Sequence, residues 1–316
     1  MMIFTPAGGH SAPLGAVMNR LRIAFAVLAV VFGGLGSAGA LAAPIEQSNW
    51  TGLKKQVRLP DGVLLNYVEL GDPEGEPLLL LHGYTDSSRS WSLMVPYLSE
   101  YRLLIPDQRG HGGSDAPECC FSSTQYAHDA RLLLDALGIG QAAVAGHSLG
   151  SMVAISLAAE QPQRVSRLIL IGSTALAPVK RGDWLFDNAM ALTAPLDPSS
   201  PFLREWHPSN QPTPVDPDFA KAVEAEYLLI PLHVWRGVMR ELTLVPVGRH
   251  APDVKVPVLV LSGGKDPLFP AEHHQSLLKA FPNAKAQVFP ELGHNPNWER
   301  PEAVASTMKQ FLRSTR

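Results

Sequence analysis

Short apolar runs alternate with longer segments of helical periodicity along most of the chain. The runs at residues 78–81, 142–145 and 168–171 are almost wholly apolar, which suits strands buried on both faces of a parallel sheet. From residue 124 to 137, apolar residues recur every three or four positions, the spacing of an amphipathic helix. Strands that alternate with helices predict an α/β fold with a mostly parallel central sheet flanked by helices.

The same pattern predicts the remaining elements. Further strands are expected at 63–70, 101–105, 256–261 and 286–289, and further helices at 91–98, 149–160, 271–280 and 301–312. Between residues 172 and 251 many prolines interrupt the alternation. This stretch is therefore predicted to be a loop-rich insertion with a few helices, one of them at residues 232–242.

Residues 1–42 have the pattern of an export signal. They contain no acidic residue, carry two arginines, and then run apolar from Ile23 to Phe32 before small residues take over. Ala40-Leu41-Ala42 fits the small-x-small rule for cleavage, so we expect a signal peptide and a mature chain that begins near Ala43. The alternative, an uncleaved membrane anchor, is disfavoured by the glycines and the cleavage site. The protein is thus expected to be periplasmic or extracellular.

The mature chain is expected to consist of a core in two parts, residues 43–172 and 251–316. An insertion at residues 173–250 would separate them and form a cap. Three tryptophans in this insertion, Trp184, Trp206 and Trp235, would either line an apolar pocket or form the insertion's own core.

Composition and charge exclude several classes of protein. With 46% hydrophobic and 17% charged residues among 316, the chain is not intrinsically disordered. Its net charge of -3, without a basic stripe, gives no indication of nucleic-acid binding. The two cysteines, Cys119 and Cys120, are neighbours, which excludes a disulfide framework. A bond between them would be strained, so two separate thiols are favoured.

No cofactor or metal motif appears. The glycine-bounded segment from Gly146 to Gly150 lacks the lysine and the spacing of a phosphate-binding loop. His273 and His274 are adjacent, and neighbouring residues on a helix point in different directions, so no metal site is expected there.

A candidate nucleophile lies between a predicted strand and a predicted helix. Gly146-His147-Ser148-Leu149-Gly150 matches the G-x-S-x-G elbow, in the strand-turn-helix context that the motif requires. The two glycines permit a sharp turn that leaves the Ser148 hydroxyl at the carboxyl end of the strand.

A serine hydroxyl is a poor nucleophile at neutral pH, so it needs a base, and the base needs an orienting acid. His294 directly follows the last predicted strand, and Asp266 follows the strand at 256–261. Both would lie at the carboxyl edge of the sheet, where Ser148 is also expected. The chain order Ser, Asp, His is that of a nucleophile-elbow hydrolase.

Two backbone amides are expected to stabilise an oxyanion beside Ser148. One belongs to Leu149, the residue after the nucleophile, and the other to Tyr84, in the loop that follows the strand at 78–81. The neighbouring His82 is expected to shape this loop rather than to take part in catalysis.

Taken together, these motifs resemble the α/β-hydrolase superfamily across nearly all of the mature chain outside the insertion. The matching landmarks, in order, are His82-Gly83-Tyr84, the segment from Asp107 to Asp115, Gly146 to Gly150, Gly264-Lys265-Asp266 and Gly293-His294. The resemblance implies a catalytic triad of Ser148, Asp266 and His294, with the insertion roofing the site. It also implies that the Asp107 to Asp115 segment is a structural loop.

The resemblance implies a serine hydrolase that cleaves a small-molecule ester, thioester or lactone without a cofactor, and the pattern of residues 1–42 adds that it is exported. A serine at the elbow argues against dehalogenase and epoxide-opening activity, for which the superfamily generally places aspartate there. The same triad could instead transfer the acyl group to an alcohol or a peroxide, as an acyltransferase or perhydrolase. A catalytically silent binding protein on this scaffold is a further alternative. Neither nucleic acid nor a stable membrane anchor is expected as a partner, and the oligomeric state is left open.

Overall fold

An eight-stranded sheet runs through the described part of the chain, residues 43–206, 210–244 and 246–314 of a computed structural model. The strands are β1 (Lys55–Arg58), β2 (Leu64–Gly71), β3 (Pro77–Leu81), β4 (Arg102–Pro106), β5 (Ala142–His147), β6 (Val165–Ile171), β7 (Val258–Gly263) and β8 (Lys285–Phe289). They lie in the order β1-β2-β4-β3-β5-β6-β7-β8. Strands β3 to β8 are mutually parallel, whereas β2 is antiparallel to both of its neighbours.

Helices cover both faces of the sheet. They are α1 (Val95–Leu98), α2 (Ser123–Ala136), α3 (Leu149–Glu160), α4 (Trp184–Ala191), α5 (Pro201–Trp206), α6 (Pro217–Tyr227), α7 (Leu232–Leu242), α8 (Ala271–Ala280), α9 (Pro296–Glu299) and α10 (Pro301–Ser314). Alternate residues of β3 divide between the faces: Leu79 and Leu81 pack with α2 and α3, and Leu78 and Leu80 pack with α1 and α10. None of the described helices has the length and apolar character needed to cross a membrane.

The α/β fold with a mostly parallel sheet, predicted from the alternation of strands and helices, is confirmed. Some elements differ from the prediction, among them two in the first part of the core. Strand β1 was not predicted, because an exposed edge strand with one apolar residue, Val57, lacks a hydrophobic signal. The helix predicted at 91–98 is a 3-10 turn at Ser88–Trp91 followed by the short α1. Pro96 explains the difference, because proline is tolerated only in the first turn of a helix.

The insertion between β6 and β7 carries helices α4 to α7. Two of them begin at a proline, Pro201 and Pro217, where the missing N–H costs nothing, and Pro231 directly precedes α7. The bounds of α7, Leu232–Leu242, are those that its periodicity predicts. The predicted signal peptide, residues 1–42, lies outside the described residues.

Cys119 and Cys120 are joined by a disulfide bond. The expectation of two separate thiols is therefore wrong. The backbone of Cys120 has a φ of 74°, which lies in the left-handed region.

A buried carboxylate, Asp107, ties the loop after β4 to the rest of the core. It accepts hydrogen bonds from Lys54 Nζ and the Ser88 amide, both at 2.8 Å, and from the Gly113 amide at 2.9 Å. Burial alone would raise the pKa of Asp107, but the Lys54 charge and these hydrogen bonds hold that pKa below its ordinary value. The segment thus has the structural role expected of it.

Replacing Asp107 with alanine is expected to lower the free energy of unfolding by about 3–5 kcal/mol, because the change leaves a buried lysine without its partner. Urea denaturation followed by circular dichroism measures the change. Glu291→Ala is the matched control, since Glu291 pairs with Lys265 at the surface and its loss should cost less than about 1 kcal/mol. Equal losses in the two variants would contradict the role given to Asp107.

Candidate active site

Ser148 occupies a strained turn between β5 and α3. Its φ is 50° and its ψ is -118°, a conformation that residues other than glycine seldom adopt. The turn is fixed on one side by a hydrogen bond of 2.9 Å from the Ser148 amide to the Ile171 carbonyl of β6. Glycines on both sides make room for it. A Cβ at Gly146 would lie 2.2 Å from the Gly150 carbonyl oxygen, and a Cβ at Gly150 would lie 2.2 Å from the Leu81 carbonyl oxygen.

His294 and Asp266 form a buried pair at the same edge of the sheet. His294 follows β8, Asp266 follows β7, and their exposed fractions are 4% and 5%. His294 Nδ1 lies 2.9 Å from Asp266 Oδ2. The other carboxylate oxygen of Asp266 accepts hydrogen bonds of 2.9 Å from the amides of Leu268 and Phe269. The carboxylate is therefore fixed on both sides.

This arrangement favours the ionised form of Asp266 and fixes the tautomer of His294. Burial alone would raise the pKa of Asp266, but the charge and hydrogen bond of His294, with the two backbone amides, hold that pKa below its ordinary value. Ionised Asp266 can only accept, so His294 Nδ1 carries the proton that it donates. In a neutral imidazole this leaves Nε2 as an acceptor, which is the state that a general base needs.

Ser148 and His294 open onto one cavity of about 260 Å³. Tyr84 and Leu149, the two residues expected to supply oxyanion amides, line the same cavity. Leu149 is the first residue of α3, where a backbone N–H has no acceptor within the helix. Four of the five predicted site residues thus surround one space, and the fifth, Asp266, reaches it through its hydrogen bond to His294.

The rest of the cavity wall is mainly apolar. It is formed by Met152, Pro178, Val179, Trp184, Leu185, Trp206, Leu242, Pro267, Leu268, Phe269 and Trp298, with Asp86, His147, Asp183, Asn210 and Asn295 as polar members. Trp184 and Trp206 of the insertion therefore line the cavity, while the fully buried Trp235 belongs to the core. Among the described residues of the wall, none is a lysine or an arginine.

The loop after β3, residues 82–87, is called the oxyanion loop below. Its His82 is buried, with Nδ1 2.8 Å from the Gly83 carbonyl and Nε2 accepting from the Gln108 amide at 2.9 Å. Burial lowers the pKa of His82, so the ring stays neutral and shapes the loop, as the sequence suggests. A Cβ at Gly83 would lie 2.8 Å from Asp86 Oδ2 and 3.3 Å from Ser148 Cβ, so a side chain there would crowd both Asp86 and the elbow.

Three residues hold the backbone around His294, and the sequence predicted this role for none of them. The His294 carbonyl lies 3.0 Å from His147 Nε2, and its amide donates to the Asn210 carbonyl at 2.9 Å. The preceding Gly293 amide donates to buried Glu299 at 2.8 Å. His147 was visible as the second residue of the elbow motif and Glu299 as an acidic residue five positions after the histidine. Asn210 carried no signal, because it acts through its backbone.

The adjacent histidines of α8 have separate partners. His273 Nδ1 lies 2.7 Å from Thr174 Oγ1, and His274 Nδ1 lies 2.8 Å from Ser262 Oγ. Within residues 43–206, 210–244 and 246–314, no group of three or more histidine, cysteine, aspartate or glutamate side chains is arranged to hold a metal ion.

Comparison with known proteins relates the chain to the α/β hydrolases. The family model described as alpha/beta hydrolase fold matches residues 76–301. The chain is 31% identical over 261 residues to the dihydrolipoyllysine-residue acetyltransferase component of the acetoin cleaving system of Pseudomonas putida, covering 80% of this chain and 67% of that protein. It is 27% identical over 271 residues to lipase 1 of Psychrobacter immobilis, covering 81% and 83%. A solved hydrolase structure from Pseudomonas aeruginosa PA01 superposes with a TM-score of 0.74 at 25% identity, covering 83% and 98%.

The low pKa of Asp266 predicts how its contribution to stability depends on pH. A carboxylate whose pKa is lower in the folded than in the unfolded chain stabilises the fold above its unfolded pKa, near 3.9, and loses this effect as the pH falls through the folded value. Asp266→Asn should therefore destabilise the protein at about pH 7, and its difference from the wild type should shrink below about pH 4. Urea unfolding of both proteins across this range measures the difference. If the difference in the free energy of unfolding between the two proteins stays constant or grows on acidification, the pKa of Asp266 is not lowered in the folded protein.

Proposed function

This chain belongs to the α/β-hydrolase family, as its motifs predict, and we propose that it is a serine hydrolase that cleaves carboxylic esters. One observation carries the proposal. His294 is buried, is hydrogen-bonded through Nδ1 to Asp266, and lines the same cavity as the strained Ser148 elbow. Lipase 1 of Psychrobacter immobilis, similar over most of both chains, is consistent with ester cleavage.

The reaction follows from the groups at the cavity. Ser148 Oγ attacks the ester carbonyl while His294 Nε2 takes the hydroxyl proton, and Asp266 stabilises the imidazolium that forms. The amides of Leu149 and Tyr84 donate to the oxyanion of the tetrahedral intermediate. When the intermediate collapses, His294 gives its proton to the leaving alcohol and an acyl-enzyme remains. Water, deprotonated by His294, then releases the acid and restores Ser148.

The cavity wall favours neutral substrates with small acyl groups. A volume of about 260 Å³ lies just below the range of about 300–1,000 Å³ that holds drug-sized ligands. The wall is mainly apolar, and its charged members, Asp86 and Asp183, are acidic. An ester substrate that also carries a free carboxylate would therefore face the negative charges of Asp86 and Asp183, with no lysine or arginine in the described part of the wall to compensate them.

Acyl transfer is the second candidate function. The relative at 31% identity is named as an acetyltransferase component, and an acyl-enzyme on Ser148 could pass its acyl group to an alcohol or thiol instead of water. Addition of methanol to the assay distinguishes the two. A transferase would form the methyl ester in excess of the free acid, whereas a hydrolase would form mainly the acid.

The insertion is proposed to act as a cap, because its residues Trp184, Leu185, Trp206, Asn210 and Leu242 form one side of the cavity. Export is proposed from the pattern of residues 1–42. Amino-terminal sequencing of the protein expressed with its full leader tests export, and we expect the mature chain to begin near Ala43. An intact leader on the folded protein would contradict this.

Hydrolysis of p-nitrophenyl esters by the mature protein tests the proposed function. We expect the highest kcat/KM for acetyl to butyryl esters and a steep decline for longer chains, because the cavity is small. Ser148→Ala should lower kcat by a factor of about 1,000 or more, since it removes the nucleophile. Mono-p-nitrophenyl succinate, with the same chain length as the butyrate, should be cleaved more slowly because of its carboxylate.

Either of two outcomes would refute the proposal. Equal turnover by wild type and Ser148→Ala would show that Ser148 is not the nucleophile. Absence of turnover of every ester by the folded wild type would favour the silent binding protein.

A further inference from the structure

Like Ser148 in the elbow, Thr85 in the oxyanion loop has a strained backbone conformation. Its φ is 65°, a left-handed conformation that is costly for a β-branched residue and persists only where the surroundings enforce it. Thr85 directly follows Tyr84, whose amide is proposed to bind the oxyanion. The conformation of Thr85 therefore affects where the Tyr84 peptide lies relative to Ser148.

One contact that holds Thr85 comes from the insertion. Trp206, in α5, donates from indole Nε1 to Thr85 Oγ1 at 2.8 Å. Both residues are buried, with exposed fractions of 5% and 1%. A hydrogen bond shielded from water is worth more than an exposed one, because its loss leaves a polar group unsatisfied. The side chain of Thr85 does not line the cavity, so its hydroxyl serves the loop and not the substrate.

Tyr84 is held by the same part of the chain. Its ring makes edge contacts with Trp206 and Trp235, with centroids 5.9 and 5.4 Å apart. Its hydroxyl donates to the Trp235 carbonyl of α7 at 2.8 Å, and burial raises the pKa of Tyr84, so the hydroxyl remains a donor. Two helices of the insertion thus hold the residue that carries the proposed oxyanion amide.

A third link is made at the end of the oxyanion loop, by Ser87 and by Arg89 two residues further on. Arg89, which is nearly buried, pairs with Glu226 of α6 at 2.7 Å, and Ser87 Oγ donates to the same carboxylate. Helices α5, α6 and α7 of the insertion therefore each bind the segment from Tyr84 to Arg89. These contacts join parts of the chain that are more than 100 residues apart.

We propose that the insertion positions the oxyanion hole, with Thr85 and Trp206 as the positioning pair. This inference rests on the proposed function and adds to the insertion a role beyond covering the site. The Trp206–Thr85 hydrogen bond keeps the oxyanion loop in its strained conformation, and the Tyr84 amide then points at the place where the oxyanion forms. Thr85 and Trp206 act through Tyr84 and take no part in bond making.

The effect on rate follows from the short range of oxyanion stabilisation. A donor must lie about 2.7–3.1 Å from the oxyanion, and loss of one such donor costs about 100-fold to 1,000-fold in kcat. A loop that relaxes after loss of its hydrogen bond would weaken this interaction in part. Because the ground-state carbonyl gains little from the amide, the loss should appear in kcat and not in KM.

The test compares Thr85→Val with Thr85→Ser on p-nitrophenyl acetate. Valine keeps the shape of threonine but removes the acceptor oxygen, whereas serine keeps the oxygen. We expect Thr85→Val to lower kcat about 10-fold or more with KM changed less than about threefold, and Thr85→Ser to keep kcat within about threefold of the wild type. Thr307→Val is the matched control for the chemical change, because the Thr307 hydroxyl makes an exposed hydrogen bond on α10 and does not line the cavity.

A trifluoromethyl ketone provides a readout that a purely structural role would not change. It adds to Ser148 and forms a tetrahedral oxyanion, so its affinity should fall in Thr85→Val in parallel with kcat. Trp206→Phe removes the donor from the other side. If the two residues act as a pair, this change should lower kcat much less in the Thr85→Val background than in the wild type.

Several results would overturn the inference. They are equal kcat values for Thr85→Val and Thr85→Ser, a loss confined to KM, and full additivity of the Thr85→Val and Trp206→Phe changes. If Thr85→Val does not fold, Trp206→Phe alone decides, and an unchanged kcat in that variant would overturn the pairing. Absence of turnover by the wild type in the same assay would instead refute the proposed function.

Discussion

The close approach of the start of α3 to the end of β3 is the constraint on which the site depends. A side chain at Gly150 would overlap the Leu81 carbonyl, and one at Gly146 would overlap the first turn of α3. With glycine at both positions the chain can turn sharply enough to give Ser148 its positive φ. The same approach brings the oxyanion loop, which continues from β3, against the elbow. The proposed nucleophile and the oxyanion loop are therefore brought together by this packing contact.

Buried polar groups hold the other half of the site. Asp266 is fixed by two backbone amides and by His294, and the loop of His294 is itself fixed by Asn210 and Glu299. The carboxylates of Asp266 and Glu299 each accept several hydrogen bonds, which offsets the cost of removing them from water. Because His294, the proposed base, is already held next to the cavity, it needs no further ordering when a substrate binds.

The sequence was sufficient to predict which residues lie together at the carboxyl edge of the sheet. Ser148, Asp266 and His294 each follow a strand, so parallel strands alone bring them to one edge. The links from the insertion were not predictable in this way. Trp206 and Thr85 are 121 residues apart, and their hydrogen bond leaves no periodic pattern in either segment. Strand β1 was missed for a related reason, because an exposed edge strand is specified by its partner β2 rather than by its own hydrophobicity.

The central claim is that Ser148 becomes covalently acylated with the help of His294. Its most direct measurement is mass spectrometry of the mature protein after reaction with an alkyl fluorophosphonate, which is trapped by an activated serine. We expect one adduct per chain, on the peptide that contains Ser148, and much slower labelling of His294→Ala. Labelling of a different serine, or equal rates in the wild type and His294→Ala, would contradict the claim.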